Sequence, residues 1–534
     1  MKKIKFLSIV SLVLLISISC EQEVIELTPP TTENPDDSGT PGSANFTKFV
    51  AVGNSFVAGV QGGALFTTGQ NNSLPAIMAT QFAKPGVGGG AFVQPNINAS
   101  LGWNLFVTQP ILGPPFDPTK PVLGRMLLQG VSPKPTPQAY AVGNFEAVPN
   151  PTVNGPFLYT GGKATLNNFG IPAIVLGQAL IPETGNWAGA GTDPRFNPFY
   201  GRLADLPGGT STLIGDVAAS GGTFFLFWLG LDDFFLHAAF GADPTKAPLT
   251  PATGAGAASF DLQYGAAIGA LLGSNANLKG VVGNFPDIFK MPHFTAVAYN
   301  PIPLDAATAD NLTTNLANNY NAFLTAMAGA GVITTAEKDK RLISFAAGQN
   351  KALIVDETLT DLTAAMNANG AAALVPYAMA RQTTAEDKLP LAAGSVLGTL
   401  VGDNPSLING VTVPLADQYA LIPTEIEAIN DARTAYNATV QAIVSANSSK
   451  LALADVNAAL DGLVAAKVGI YNNVTITPNI NPPTGIYSED GVHMNSRGYA
   501  FLSRVFIQAI NTSFGATVPL TDISKYSATG LPIP

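Results

Sequence analysis

A serine becomes a nucleophile when a neighbouring base takes its proton, and a histidine serves as that base when a third group orients it. The chain carries the parts of such a set near its two ends. Ser55 stands in Gly53-Asn54-Ser55-Phe56-Val57-Ala58-Gly59, directly after the apolar run Phe49–Val52. A serine on a tight turn between a strand and a helix exposes its hydroxyl, and the helix N-terminus favours negative charge developing beside it. The plainer reading of the same serine is a helix cap. Far along the chain, Asp490-Gly491-Val492-His493 precedes Asn495-Ser496-Arg497-Gly498-Tyr499. A neutral imidazole, with a reference pKa of about 6.5, suits removal of a serine proton. An aspartate three residues ahead on the same loop can hold its tautomer. The chain has 3 histidines. His237 follows an apolar strand and a Phe pair, and His293 lies in Met291-Pro292-His293-Phe294-Thr295, so both read as structural or pocket-lining.

Elements of fixed geometry must bring these distant residues together. Candidate strands are Phe49–Val52, Thr223–Leu229, Lys279–Val282, Ala352–Val355 and Leu451–Ala454, each bounded by Gly, Asn or Asp. Several are apolar throughout, as strands covered on both faces are. Helical patterns lie between them. Thr424 and Glu427 read as a capping box after Pro423, followed by Ile426, Ile429, Tyr436, Val440 and Ile443 at helical spacing. The last helix sets Tyr499, Leu502, Phe506 and Ile510 on one face. Alternation of strand and helix predicts an α/β fold, a three-layer α/β/α sandwich with a mainly parallel sheet. Residues 101–160, rich in Pro and Gly, and residues 303–423, expected to be mostly Ala-rich helix, read as insertions.

Composition narrows the setting. The chain has 534 residues, 46% of them hydrophobic and 12% charged, with 54 Gly and 41 Pro, which suits a large loop-rich globular protein. A net charge of −10 repels phosphates and argues against a nucleic-acid partner. The one cysteine, Cys20, excludes an intramolecular disulfide. It follows a basic start, Met1–Lys5, and an apolar run, Phe6–Ile18, that is shorter than the roughly 20 residues of a membrane span. This pattern predicts a lipoprotein signal over residues 1–19, lipidation of Cys20 and attachment to the outer membrane of a cell envelope. Residues 20–45 are rich in Pro, Gly and Asp and read as a flexible tether. No cluster suggests a metal, and no cofactor is expected.

Taken in order along the chain, the motifs resemble those of the SGNH (GDSL-like) hydrolases, and in particular exported members from Bacteroidota. Gly53-Asn54-Ser55 matches block I, usually Gly-Asp-Ser, and Asp490-Gly491-Val492-His493 matches block V. Gln70-Asn71-Asn72-Ser73-Leu74-Pro75 and Asn284-Phe285-Pro286-Asp287 also match that subgroup. The resemblance spans about residues 46–515, leaving 516–534 as a tail, and implies a flavodoxin-like fold. It further implies Ser55 as nucleophile, His493 as base and Asp490 as its partner. Block II usually places a Gly whose N–H lines an oxyanion hole; here Asn168-Phe169-Gly170-Ile171-Pro172-Ala173 puts Ala173 there. Block III usually reads Gly-x-Asn-Asp; here Gly230-Leu231-Asp232-Asp233 puts an acid in place of the amide donor. The implied oxyanion hole is thus the Ser55 and Ala173 N–H groups with Asp232, which if ionised cannot donate and repels the developing charge. Loss of one donor costs roughly 10²–10³ in turnover. The expected activity is hydrolysis of a carboxylic ester, of a lipid, an acetylated glycan or a small molecule. The alternatives are a surface module that binds glycan or lipid without turnover, and an anchored scaffold whose motifs arise by chance.

Overall fold

A computed structural model describes residues 38–100, 161–189, 192–204, 209–254 and 258–529, with residues 102–104, 123–129, 134–139, 159 and 256. Cys20 and the signal segment lie outside the described residues. Among the described residues no helix is long and apolar enough to cross a membrane.

Five strands form the central sheet: β1 (Phe49–Gly53), β2 (Asn168–Gly170), β3 (Phe224–Trp228), β4 (Lys279–Gly283) and β5 (Leu451–Ala454). Their spatial order is β5-β4-β3-β1-β2, and every adjacent pair is parallel. The order reverses at β1: one neighbour, β2, comes next in the chain, while β3 lies on the other side. Such a reversal opens a crevice beyond the carboxyl ends of the strands. β3 reads Phe-Phe-Leu-Phe-Trp with all five residues buried, which a strand covered on both faces requires. Each such side chain contributes about 1.5–3 kcal/mol on burial.

The helices that bear on the site are α1 (Ser55–Ala58), α2 (Leu74–Phe82), α3 (Leu213–Ala219), α4 (Asp232–Ala239), α5 (Phe260–Ser274), α6 (Pro423–Ala446), α7 (Val456–Ala466) and α8 (Ser496–Phe514). α8 packs on β4 and β5 and against α2 and α7, while α6 packs against α4 and α5. Tyr499, Leu502, Phe506 and Ile510 of α8 are all buried, as their spacing predicts. In α6 the cap differs from the expected Thr424–Glu427 box. The helix begins two residues earlier, at Pro423, and Glu425 accepts the Ile422 N–H at 2.9 Å.

Two other expectations change. Ala352–Val355 is not a strand of the central sheet. Leu353–Val355 pairs antiparallel with Ala380–Gln382 within the second insertion. An apolar run of four residues carries no information about which sheet it joins. The fifth central strand is instead β2, too short and too polar to stand out. The second insertion is also less helical than its alanine content suggests. It holds three antiparallel strand pairs, Ile302–Leu304 with Gly348–Asn350, Leu353–Val355 with Ala380–Gln382, and Leu400–Val401 with Asn404–Ile408. Its helices bury Leu316, Tyr320, Leu324 and Met327 in a core of their own.

At the ends, the expected tether docks in its last residues. The Gly39 N–H donates to Pro85 O at 2.9 Å, the Ser43 N–H donates to Phe514 O at 2.8 Å, and Ala44 is buried. The tail packs back likewise: Val518 and Ile523 are buried, and the Ser503 hydroxyl donates to Thr521 Oγ1 at 2.6 Å.

Candidate active site

The carboxyl ends of β1, β2 and β3 and the loop before α8 converge at Ser55. β1 turns directly into α1 at Gly53, where a Cβ would lie 2.2 Å from Val57 Cγ2 and 2.8 Å from Trp228 O. Only glycine leaves room for that turn. Asn54 caps α1: its Oδ1 accepts the Phe56 N–H at 3.2 Å. The capping role considered for Ser55 therefore belongs to Asn54, and the Ser55 hydroxyl is left for other work. Ser55 Oγ lies 2.8 Å from His493 Nε2.

The loop Ser488–Asn495 supplies the other two members. His493 Nδ1 lies 2.8 Å from Asp490 Oδ2. Asp490 Oδ2 also accepts the Gly63 N–H at 2.5 Å, and Oδ1 accepts the N–H groups of Val492 and His493 at 2.8 Å each. Burial alone would raise the Asp490 pKa, but the charge of His493 and these hydrogen bonds more than offset it, and the carboxyl sits below its ordinary range. An ionised Asp490 only accepts, so Nδ1 carries the imidazole proton and Nε2 faces the serine hydroxyl as an acceptor. Ser55, Asp490 and His493, expected from sequence to act together, are thus in one hydrogen-bonded line. Ser55 is 4% exposed, and Asp490 and His493 are each 2% exposed.

Residues far away in sequence brace this line. The Tyr499 hydroxyl of α8 donates to Val60 O at 2.7 Å, tying the base-bearing end of the chain to the serine-bearing end. The Gly62 N–H donates to Ser488 Oγ at 2.9 Å, and Gly62 O in turn accepts the Met126 N–H at 2.7 Å from the first insertion. His293 proves to be a support beneath the acid loop. Its backbone N–H donates to Gly491 O at 2.9 Å, and its Nδ1 lies 3.2 Å from Asp490 O. Its own carbonyl accepts the Leu391 N–H at 2.6 Å, which links the second insertion to the loop. Gly491 has φ +72°, and a Cβ there would come within 2.7 Å of His293 N. His237 is structural, with Nδ1 2.6 Å from Ala247 O.

The oxyanion candidates lie at the ends of β2 and β3. Ala173 adopts φ +53°, the left-handed conformation that costs an alanine about 1 kcal/mol or more. Its loop is held by side chains that carry no signal in the local sequence. Asn197 Nδ2 donates to Pro172 O at 2.9 Å, and Asp233 Oδ2 accepts the Leu176 N–H at 2.8 Å. Neither the Ser55 N–H nor the Ala173 N–H donates a hydrogen bond to another described residue. Backbone N–H groups in folded proteins are paired in the great majority, so two unpaired ones at neighbouring strand ends mark a place for an acceptor.

Asp232, the first residue of α4, is 3% exposed. Burial, with the adjacent Asp233, pushes its carboxyl up to about 8, although the Asn54 amide and the Ile174 N–H ease its charge. The sequence left open whether this acid is ionised; burial favours its acid form. Asp233 is raised to about 6, chiefly by burial, while its bonds to the Leu176 N–H and the Thr250 hydroxyl hold it lower than Asp232.

Among the described residues one acidic group has metal-holding spacing, Glu357 with Asp417 and Glu425. It shares no residue with the line above. Burial and the neighbouring acids push Asp417 up to about 8 and Glu425 up to about 7, so protons relieve the repulsion there. No family model matches the chain, and neither a curated protein nor a solved structure matches it.

Proposed function

We propose that the chain is a serine-dependent carboxylic-ester hydrolase of the SGNH type, built on a three-layer, flavodoxin-like sandwich. The strand order 2-1-3-4-5, with the candidate site at its reversal point, supports the fold reading. The observation that carries the activity is the line Ser55 Oγ–His493 Nε2 and His493 Nδ1–Asp490 Oδ2, at 2.8 Å for each contact.

In this reading Ser55 attacks the ester carbonyl while His493 Nε2 takes the hydroxyl proton. Asp490 stabilises the imidazolium so formed. The Ser55 and Ala173 N–H groups receive the oxyanion. His493 then returns the proton to the leaving alkoxide, and the same base activates water to release the acyl group from Ser55. None of these steps calls on a metal or an organic cofactor. The substrate is an ester of a lipid, an acetylated glycan or a small alcohol. We further propose that lipidated Cys20 holds the protein at the cell envelope.

A fluorophosphonate probe and p-nitrophenyl acetate test the activity. The wild-type chain is expected to be labelled and to turn over the ester, and Ser55→Ala is expected to do neither. Equal labelling or equal turnover in Ser55→Ala would reject Ser55 as the nucleophile. Saturable glycan or lipid binding without Ser55-dependent turnover would favour the binding module. For the anchor, wild type should partition with membranes and Cys20→Ala should not.

A further inference from the structure

Asp232 lies against the residues that adjoin the two unpaired N–H groups in the chain. Its carboxyl neighbours Asn54, the residue before Ser55, and the N–H of Ile174, the residue after Ala173. Strand pairing explains the arrangement. Gly53 at the end of β1 is in register with Trp228 at the end of β3 and Gly170 at the end of β2, so the segments that follow leave the sheet side by side.

Two buried side-chain atoms meet here without a partner. Asn54 Nδ2 and Asp232 Oδ2 are both sealed from solvent, and neither makes a hydrogen bond of normal geometry with a described residue. The amide cannot simply turn round, because its Oδ1 is engaged by the Phe56 N–H. Proximity lets the amide ease the charge on Asp232 without completing a bond. Buried polar atoms left unpaired are uncommon and call for an explanation, which a substrate oxygen would supply.

The charges around Asp232 decide its state. It faces Asn54 from the β1–α1 turn, the Ile174 N–H from the loop after β2, and Asp233 on its own helix. Tyr436 of α6 feels the Asp233 carboxyl, and burial together with Asp233 keeps that phenol un-ionised. No lysine or arginine among the described residues acts on either carboxyl. A buried carboxylate beside a second carboxylate, with no cation, is an unfavourable arrangement, whereas a neutral acid is not. The SGNH motifs usually place the acid before the serine and the amide after the third strand. Here the two types are exchanged, so the contact still joins one amide and one acid.

We propose that Asn54 and Asp232 work as one amide–acid pair, in which neutral Asp232 donates its O–H to the substrate carbonyl oxygen as that oxygen becomes an oxyanion at Ser55. Ionisation of Asp232 then withdraws the donor and shuts the site down on the alkaline side. The proton stays on Asp232 throughout; the hydrogen bond strengthens as charge develops and relaxes when the tetrahedral carbon collapses. The role in turnover rests on the serine-hydrolase reading above, while the protonation of the pair does not.

The experiment uses the full chain as wild type, Asp232→Asn, Asn54→Asp and the exchanged double variant Asn54→Asp/Asp232→Asn. Turnover of p-nitrophenyl acetate is followed against pH, with fluorophosphonate labelling of Ser55 in parallel. Infrared difference spectra between wild type and Asp232→Asn read the protonated carboxyl directly. Wild-type turnover is expected to fall above about pH 8. Asp232→Asn should hold its rate, exceeding wild type about tenfold one pH unit higher, where roughly a tenth of Asp232 remains protonated. Asn54→Asp places two acids in contact and should lose roughly 10² in turnover, the worth of one oxyanion donor. The exchanged variant should recover at least about tenfold of that loss. An unchanged alkaline fall in Asp232→Asn, or no recovery in the exchanged variant, would overturn the donor role. Failure of wild type to label at any pH would overturn that role together with the serine reading. Absence of a protonated-carboxyl band at neutral pH would overturn the pair itself, whatever the activity.

Discussion

Two pairs of buried aspartates in this molecule differ in whether a cation sits beside them, and the contrast separates a structural network from the candidate site. In the second insertion, Asp356 and Asp387 clasp Arg381. Arg381 Nε lies 2.5 Å from Asp356 Oδ2, and its two terminal nitrogens lie 2.6 and 2.7 Å from the Asp387 oxygens. Lys340 adds a contact to Asp356 at 2.9 Å. Burial alone would raise Asp356, yet the bonds from Arg381, Thr358 and Lys340 pull it down to about 2. At the sheet ends, Asp232 and Asp233 are buried with no cation and are raised to about 8 and about 6. Burial penalises charge in both places; the difference is whether a cation was placed to compensate. Where every polar atom is satisfied the arrangement rigidifies the fold. At Asp232 and Asn54, by contrast, buried side-chain atoms are left without a partner among the described residues.

The largest expected effect is on catalysis. Asp490→Asn would let the imidazole adopt the wrong tautomer, and turnover of p-nitrophenyl acetate should drop by roughly 10⁴. A drop of less than about tenfold would remove Asp490 from the line. On the structural side, Arg381→Met leaves Asp356 and Asp387 buried without their main partner. A loss of about 3–5 kcal/mol in urea unfolding is expected. A loss under about 1 kcal/mol would mean the clasp is not the distinction drawn above.

The pH dependence of stability should split the two regions. Asp232 has a folded pKa of about 8, above its ordinary 3.8, so its contribution is full below about pH 4 and is lost as pH rises through about 8. Asp356, lowered to about 2, contributes above about pH 4 and loses that contribution as pH falls through about 2. Asp232→Asn should therefore flatten the decline in melting temperature between about pH 4 and 8, and leave the limb below about pH 4 as it was. A parallel decline in wild type and variant would count against a raised Asp232. The smallest effect concerns Ala173. Ala173→Gly relieves the left-handed strain at φ +53° and should stabilise the fold by about 0.5–1 kcal/mol in denaturant unfolding. Destabilisation would mean that rigidity of the unfolded chain outweighs that strain.

Much of this site is legible in the order of residues along the chain. Ser55, Asp490 and His493 stand out through residue type, the scarcity of histidine and placement beside an apolar strand and a helix start. Four of the five candidate strands join the central sheet. The parts that escape such a reading are held by contacts between residues far apart in the chain. Asn168–Gly170 is a strand only because β1 offers it an edge, and Ala352–Val355 is absent from the sheet because another partner lies closer. His293, Asn197 and Asp233 support the site through single hydrogen bonds to backbone that leave no local pattern.

The amino-acid sequence by itself determined the chemistry that can be offered: one serine turn, one acid–histidine loop, an alanine after the Asn168–Gly170 strand and an acid pair after the third strand. Local propensity and hydrophobic period settle such matters because they depend on neighbours a few residues away. Only the tertiary structure decided what those residues are. It turned Ala173 into the left-handed conformation and closed the serine onto the imidazole across 438 residues. It also pushed the Asp232 carboxyl up to about 8 beside Asn54, because solvation and charge balance depend on everything packed around a group, and most of that comes from elsewhere in the chain.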